Sequence, residues 1–364
     1  MEYAYNPGAA LITIFFITVM VFKYLQGYRR TLSADSSYMP IFILMTLISV
    51  FAFTEYDTYH YHTTYDLMVE YNEAEHVEDY YFWLTQILPN SYYLWRFFIW
   101  GGACLFFVWA LKLLKLNPTI CGALIPLVLI ARFNVSRASF GIVVLLFCII
   151  LLIAPKKNLL TRLLALAGVV ASGYLHSSMI IFIIIALLFL ILPLTKKSII
   201  ILLLLFPFLY GSVLLISENL LDTYGLVNEN RIFKYMMEDK LEFSTIGLFI
   251  KCVEKATLLL IVYSISRYYL SEQIKAKPEN LIFFRIYKIA FGFIYVSSLF
   301  FLQNVSDWVS TRTTDAGLFF LIICIIHYFS NNRKTMIDKL YIRMSMGLLY
   351  FGQFYFIYDV ISSQ

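Results

Sequence analysis

Residues 137–154 read RASFGIVVLLFCIILLIA, and after Arg137 the run carries no further charge. A membrane-spanning helix needs roughly 17 to 25 mostly apolar residues, which this run supplies. Comparable runs bounded by charge lie on either side of it, at 9–26, 38–54, 92–111, 118–132, 159–175, 179–195, 198–216, 246–268, 282–302, 315–330 and 340–360. Together they make about twelve. Those at 118–132 and 315–330 are short, and suit partial or re-entrant helices. The first run has neither a basic n-region nor a small-residue cleavage site, so it reads as a retained helix. Composition agrees: 61% of the chain is hydrophobic and 14% charged, against about 25% charged in a soluble domain. The expected fold is all-α and polytopic, a single transmembrane domain over 1–364 with about twelve spans and a periplasmic amphipathic helix.

The basic residues set the orientation. Arg29/Arg30, Lys112/Lys115, Lys156/Lys157/Arg162, Lys196/Lys197, Arg267/Lys275/Lys277/Arg285/Lys288 and Arg333/Lys334/Lys339/Arg343 fall in alternate loops, 18 of the 28 Lys and Arg residues. The positive-inside rule makes that face cytoplasmic and leaves both termini outside. Residues 55–90 carry eight acids and no Lys or Arg, as an external loop should. A second external loop is expected at 217–245. Within the first, 64–88 lacks Gly and Pro, and Leu67, Tyr71, Ala74 and Tyr81 recur at helical spacing. This predicts a helix lying on the membrane with its YYFW end at the interface.

The cations that break the pattern are mostly external: Arg96, Arg132, Arg137, Arg231, Lys234, Lys240, Lys251, Lys255 and Arg312. Any one of them is explained by snorkelling to headgroups or by pairing with the acidic loop. A set converging on one side also suits a lipid-linked phosphate or diphosphate, since a guanidinium offers two parallel donors to phosphate oxygens. Arg132 and Arg137 flank a turn with Asn134, Ser136 and Ser139 as neutral donors. Lys251, Glu254 and Lys255 share one face of the ninth span, which should look into the bundle. Arg312 stands three residues before Asp315 at the expected external start of a helix, where a local ion pair also accounts for both.

Two segments offer a base. His176, in GYLHSSMII, ends a helix before two hydroxyl residues and either caps the next helix or takes a proton near neutral pH. Asp57, in FTEYDTYHYHTTYDL, follows a span directly, with Tyr59 and Tyr61 beyond it as interface anchors or substrate contacts. His60 and His62 lack a third ligand at a metal-binding spacing, so no metal site is expected. The five cysteines lie in apolar stretches without CxxC spacing. There is no P-loop, GxGxxG, GxSxG or external Asp-x-Asp, which leaves a nucleotide substrate without a site.

Read in order, the chain carries Asp57-x-Tyr59-x-Tyr61 after an early span, Arg137-Ala138-Ser139 at the start of a middle span, His176-Ser177-Ser178 near the end of the next helix and Arg312 near the start of the penultimate one. With these residues it resembles the EpsG family of polysaccharide polymerases, in the same functional group as the Wzy O-antigen polymerases, over most of its length. The resemblance implies a membrane-embedded glycosyltransferase of GT-C-like architecture in a bacterial inner membrane, with its site facing the periplasm. A glycan on undecaprenyl diphosphate would be transferred to the non-reducing end of a second lipid-linked repeat unit. Asp57, His176 and Arg137 would be catalytic. Arg132, Arg137, Arg231, Lys251, Lys255, Arg312, Tyr59 and Tyr61 would hold the substrate and its diphosphate, where preorganised donors stabilise the developing charge. The implied partners are undecaprenyl-diphosphate-linked oligosaccharides, membrane lipid and a chain-length regulator in the same membrane; no cofactor, metal or nucleic acid is implied. A lipid-linked oligosaccharide flippase, a glycan ligase and an acyltransferase are the alternatives.

Overall fold

The computed structural model of the chain describes residues 38–50, 55–70, 79–88, 91–118, 120–122, 124–125, 138–155, 157–176, 178–202, 205, 245–271, 274, 277–302 and 307–331. All of its regular structure is helical among the described residues: α1 Met39–Val50, α2 Glu55–Glu70, α3 Asp79–Ile87, α4 Tyr92–Leu113, α5 Ala138–Ile153, α6 Leu159–Ser172, α7 Met179–Ile191, α8 Thr245–Tyr269, α9 Pro278–Leu302 and α10 Asp307–Asn331. The expected spans at 9–26 and 340–360, most of those at 118–132 and 198–216, and the 217–245 loop up to Thr245 lie outside the described residues.

Among the described residues, three helices are long and apolar enough to cross a membrane: Tyr92–Leu113, Asn280–Phe300 and Ser310–Asn331. At 1.5 Å per residue, a 25-residue helix such as α9 or α10 runs about 37 Å, more than the roughly 30 Å of hydrocarbon in a bilayer. Shorter apolar helices occupy Ala138–Ile153, Leu159–Ser172 and Met179–Ile191. α8 has 25 residues as well, but Lys251, Glu254 and Lys255 interrupt its apolar surface.

The described residues form two compact units, one reaching Met179 and including 325–331, the other spanning 180–324. In the first, Tyr38, just ahead of α1, donates its hydroxyl to the Leu116 carbonyl beyond the far end of α4. Thr46 of α1 meets Gly101 near the middle of α4, so α1 and α4 are antiparallel. α4 and α5 run parallel: Gly102 faces Phe140, and Phe106 and Trp109 pack on Phe147 at 5.3 and 5.1 Å between ring centroids. Asn158 opens α6 by accepting a hydrogen bond from the Thr161 amide at 2.8 Å, an ordinary N-cap.

In the second unit α8, α9 and α10 alternate in direction. Tyr269 of α8 donates to the Cys324 carbonyl of α10 at 2.8 Å, while Lys255 meets Thr314 further back on both helices; the two are parallel. Against α10, α9 runs the other way, with Ser310 reaching Ser297 and Phe320 stacking on Phe293 at 5.6 Å. α7 is antiparallel to α9, since Phe182 packs on Phe293 and Phe189 on Phe291.

Two local expectations change. Of the helix read over 64–88, the described residues form α2 up to Glu70 and α3 from Asp79, with 71–78 outside them. α2 begins at Glu55 and buries Tyr65 and Met68 while Leu67 is exposed, because the packed face is the aromatic one. Lys288 is no loop residue. It is buried within α9 and donates at 2.8 Å to the Leu190 carbonyl, satisfying one of the orphan acceptors at the C-terminal end of α7.

Candidate functional site

α5 begins one residue after Arg137, and three segments meet near that end. Tyr80 of α3 stacks on Phe140 at 5.7 Å. Gly141, one residue on, lets Met179 approach so closely that a methyl group there would stand 2.8 Å from its sulfur. The Met179 amide in turn donates to the His176 carbonyl at 3.0 Å. α3, Ala138-Ser139 and the His176 turn are thus built around one helix end. Ala138 and Ser139 are buried there.

The local geometry of His176 fixes its tautomer. Its Nδ1 accepts from the Ser178 amide at 3.2 Å and lies 2.8 Å from the Ser178 hydroxyl. An amide only donates, so Nδ1 holds a lone pair and neutral His176 carries its proton on Nε2. The buried ring closes the turn into α7 and presents an N–H.

α2 and α3 are seated on the start of α4 by an aromatic cluster. Tyr65 packs on Tyr92 and Trp95, each at 5.6 Å, and Tyr81 on Trp95 at 6.3 Å. The Tyr65 hydroxyl donates to the Leu88 carbonyl at 2.5 Å and accepts from the Ser91 amide at 2.9 Å, tying α2 to the α3–α4 connection. Burial pushes the Tyr65 phenol above its ordinary pKa, and the neighbouring Asp66 charge adds to that. Arg96, only 1% exposed, sits within this cluster. Its guanidinium lies 5.0 Å from the Trp100 ring centroid and 5.6 Å from that of Tyr92, whose hydroxyl accepts from Nη1 at 3.2 Å. The sequence marked Arg96 as an exception to the charge pattern but assigned it no role. The missed signal is the spacing of Tyr92, Arg96 and Trp100, four residues apart on one helical face. Between Arg96 and the rest of α4, Phe97–Gly101 forms a π-helical segment, a feature that often accompanies functional positions.

In the second unit the charges lie inside the helices. Lys255 is 5% exposed and donates to the Thr314 hydroxyl and, at 3.5 Å, to the Ser310 carbonyl. Thr314 donates to the same carbonyl at 2.8 Å, and Ser310 reaches the Ser297 carbonyl at 3.0 Å. Thr313 and Asp315 are buried beside them. A lysine at a helix centre costs about 2.5–3.5 kcal/mol on insertion. Hydrogen bonds to a charged group return about 1.5–3 kcal/mol each, which offsets it. α10 starts at Asp307, so Arg312 and Asp315 stand inside a helix, where the sequence placed them at its start. The helix continues through the polar STRTTD, where Ser310 and Thr314 have partners on α9 and α8.

Among the sequence-derived site residues, Lys255 belongs to the polar link between α8 and α10, Arg312 lies on α10 in the same stretch of sequence, and His176 belongs to the α5 end. Asp57, Tyr59 and Tyr61 fall in α2 and Lys251 in α8, with side chains outside the described residues; Arg132, Arg137 and Arg231 lie outside them altogether. Comparison with protein-family models, curated proteins and solved structures finds no match.

Proposed function

We propose that this chain is a polymerase of lipid-linked glycans, which transfers a growing glycan from undecaprenyl diphosphate to the non-reducing end of a second lipid-linked repeat unit on the outer face of the bacterial inner membrane. The observation that carries this reading is the packing at the start of α5, where Tyr80 meets Phe140 and Met179 meets Gly141. It brings α3 of the acidic loop to Ala138-Ser139 of the arginine motif and to the histidine turn, two of the motifs that carry the family resemblance. Arg137 with Arg132 would bind the diphosphate leaving group. His176 would add an Nε2–H donor. Asp57, Tyr59 and Tyr61 would serve the acceptor side. Holding both lipids in one bundle supplies the orientation term. The lipid-linked glycan profile of a deletion strain tests this: loss of the polymerase leaves a single repeat unit on its carrier at the outer face.

A second reading, a flippase for the same lipid-linked oligosaccharide, is favoured by the burial of Lys255 and Asp315 well inside α8 and α10, since transporters place polar groups near the bilayer midplane. In that case the deletion strain accumulates repeat units facing the cytoplasm.

A further inference from the structure

α3 has two unlike faces, and one of them is enough to hold it in place. Tyr81, Leu84 and Thr85 are buried. The Tyr81 ring lies edge-on to Trp95 of α4, whose indole N–H donates to the Tyr81 carbonyl at 3.2 Å. The Thr85 hydroxyl bonds to the same carbonyl at 2.9 Å and meets the Met68 sulfur of α2. On the other face Trp83 is 60% exposed, and Gln86 is exposed one turn further on. Tyr80 stands at the border between the two faces, partly buried. It stacks on Phe140 with 27° between the rings and meets Tyr81 edge-on at 5.4 Å. Burial pushes its phenol above the ordinary tyrosine pKa, which keeps it an O–H donor. Tyr80, Trp83 and Gln86 follow one another every three residues, so each is turned about 60° from the last. They form a row about 9 Å long, longer than one sugar ring is wide, that starts against α5 and winds onto the outward face.

We infer that this row is a sugar-binding subsite for the glycan part of the lipid-linked repeat unit, an assignment that rests on the polymerase reading above. A pyranose carries its C–H groups on the ring faces and its hydroxyls on the rim. The indole of Trp83 offers a broad apolar surface to such a face. The Gln86 amide both donates and accepts, as a pair of neighbouring hydroxyls requires, and the Tyr80 phenol serves a hydroxyl nearer α5. A phospholipid headgroup is the competing occupant of an exposed indole, and its phosphate calls for cations. Residues 55–90 carry eight acids and no Lys or Arg, which suits a sugar and repels a phosphate. The subsite would hold the glycan beside the start of α5 while the arginines there engage the diphosphate.

The test uses full-length protein, in detergent micelles and again in proteoliposomes, with single repeat units on their lipid carrier purified from the deletion strain as substrate. The probe is the same oligosaccharide freed from its lipid by mild acid, which should inhibit the parent. Trp83→Ala should raise both KM and the half-inhibiting oligosaccharide concentration by about tenfold, in micelles as in liposomes, while kcat stays within about threefold. Tyr80→Phe keeps the stack on Phe140 and should raise KM by about threefold. Gln86→Ala provides the reading should Trp83→Ala fail to fold. An oligosaccharide that leaves the parent uninhibited, or inhibits parent and variants alike, overturns the subsite while the polymerase reading stands. A KM that rises in liposomes alone makes Trp83 an interface anchor and overturns it too. A parent protein that joins no repeat units overturns both.

Discussion

Lys255 and Thr314 join α8 to α10 through a hydrogen bond from ammonium to hydroxyl, and Thr314 passes it on to the Ser310 carbonyl 2.8 Å away. The two ends of this link are not equivalent. Lys255→Met removes the charge together with its burial cost, and Thr314 keeps its own acceptor, so unfolding in detergent should shift by less than about 1 kcal/mol. Thr314→Val leaves the ammonium buried without that partner and should destabilise by about 1–3 kcal/mol. Equal losses in both variants would contradict the geometry.

Gly292 lies where α9 passes α7, and a side chain there would overlap the Phe189 ring and come within 2.9 Å of its Cβ. Gly292→Ala should therefore cost about 1–3 kcal/mol in detergent melts. Adding Phe189→Ala should recover part of that loss, a coupling that only direct contact produces.

Tyr65 links α2 to the α3–α4 connection as a neutral phenol, and its raised pKa means the folded state holds the proton more tightly than the unfolded chain. Its contribution is fully present below the ordinary tyrosine pKa of about 10 and is lost as pH rises through the higher folded value. Hydrogen exchange of the Ser91 amide should accelerate above that pH beyond the intrinsic alkaline increase. In Tyr65→Phe the amide should already exchange fast at neutrality.

Arg137 and lysine differ in fork geometry more than in charge. Arg137→Lys should shorten the glycan ladder sharply on a gel, since a point charge cannot bind a diphosphate through two parallel bonds. A full-length ladder from Arg137→Ala cells would remove Arg137 from the site.

Arg96 stacks on Trp100 in a dry cluster. A double-mutant cycle of Arg96→Met and Trp100→Leu, read by thermal unfolding, should return a coupling of about 0.5–2 kcal/mol. Additive losses would make the two residues independent.

The apolar helices were legible because burial in lipid needs only length and the absence of charge, which α5 and α7 display openly. α10 was misjudged at its start for the opposite reason: Ser310 and Thr314 look like loop residues until α9 and α8 supply their partners. Lys288 read as a loop cation because its acceptor, the Leu190 carbonyl, lies far away in sequence. The His176 turn announced itself in the sequence, but its tautomer depends on the Ser178 amide direction, which only the fold sets.

The π-helical segment Phe97–Gly101 leaves the two α-helical stretches of α4 out of phase. Before it, Trp95 and Arg96 turn to the aromatic cluster with α2 and α3; after it, Phe106 and Trp109 turn to Phe147 of α5. Deleting one residue inside the segment would restore ordinary winding and swing the N-terminal end of α4 by about 100°, carrying Tyr92 and Trp95 away from Tyr65 of α2. The surplus residue therefore works as a phase shifter, which lets one rod serve two partners that uniform winding would never present together.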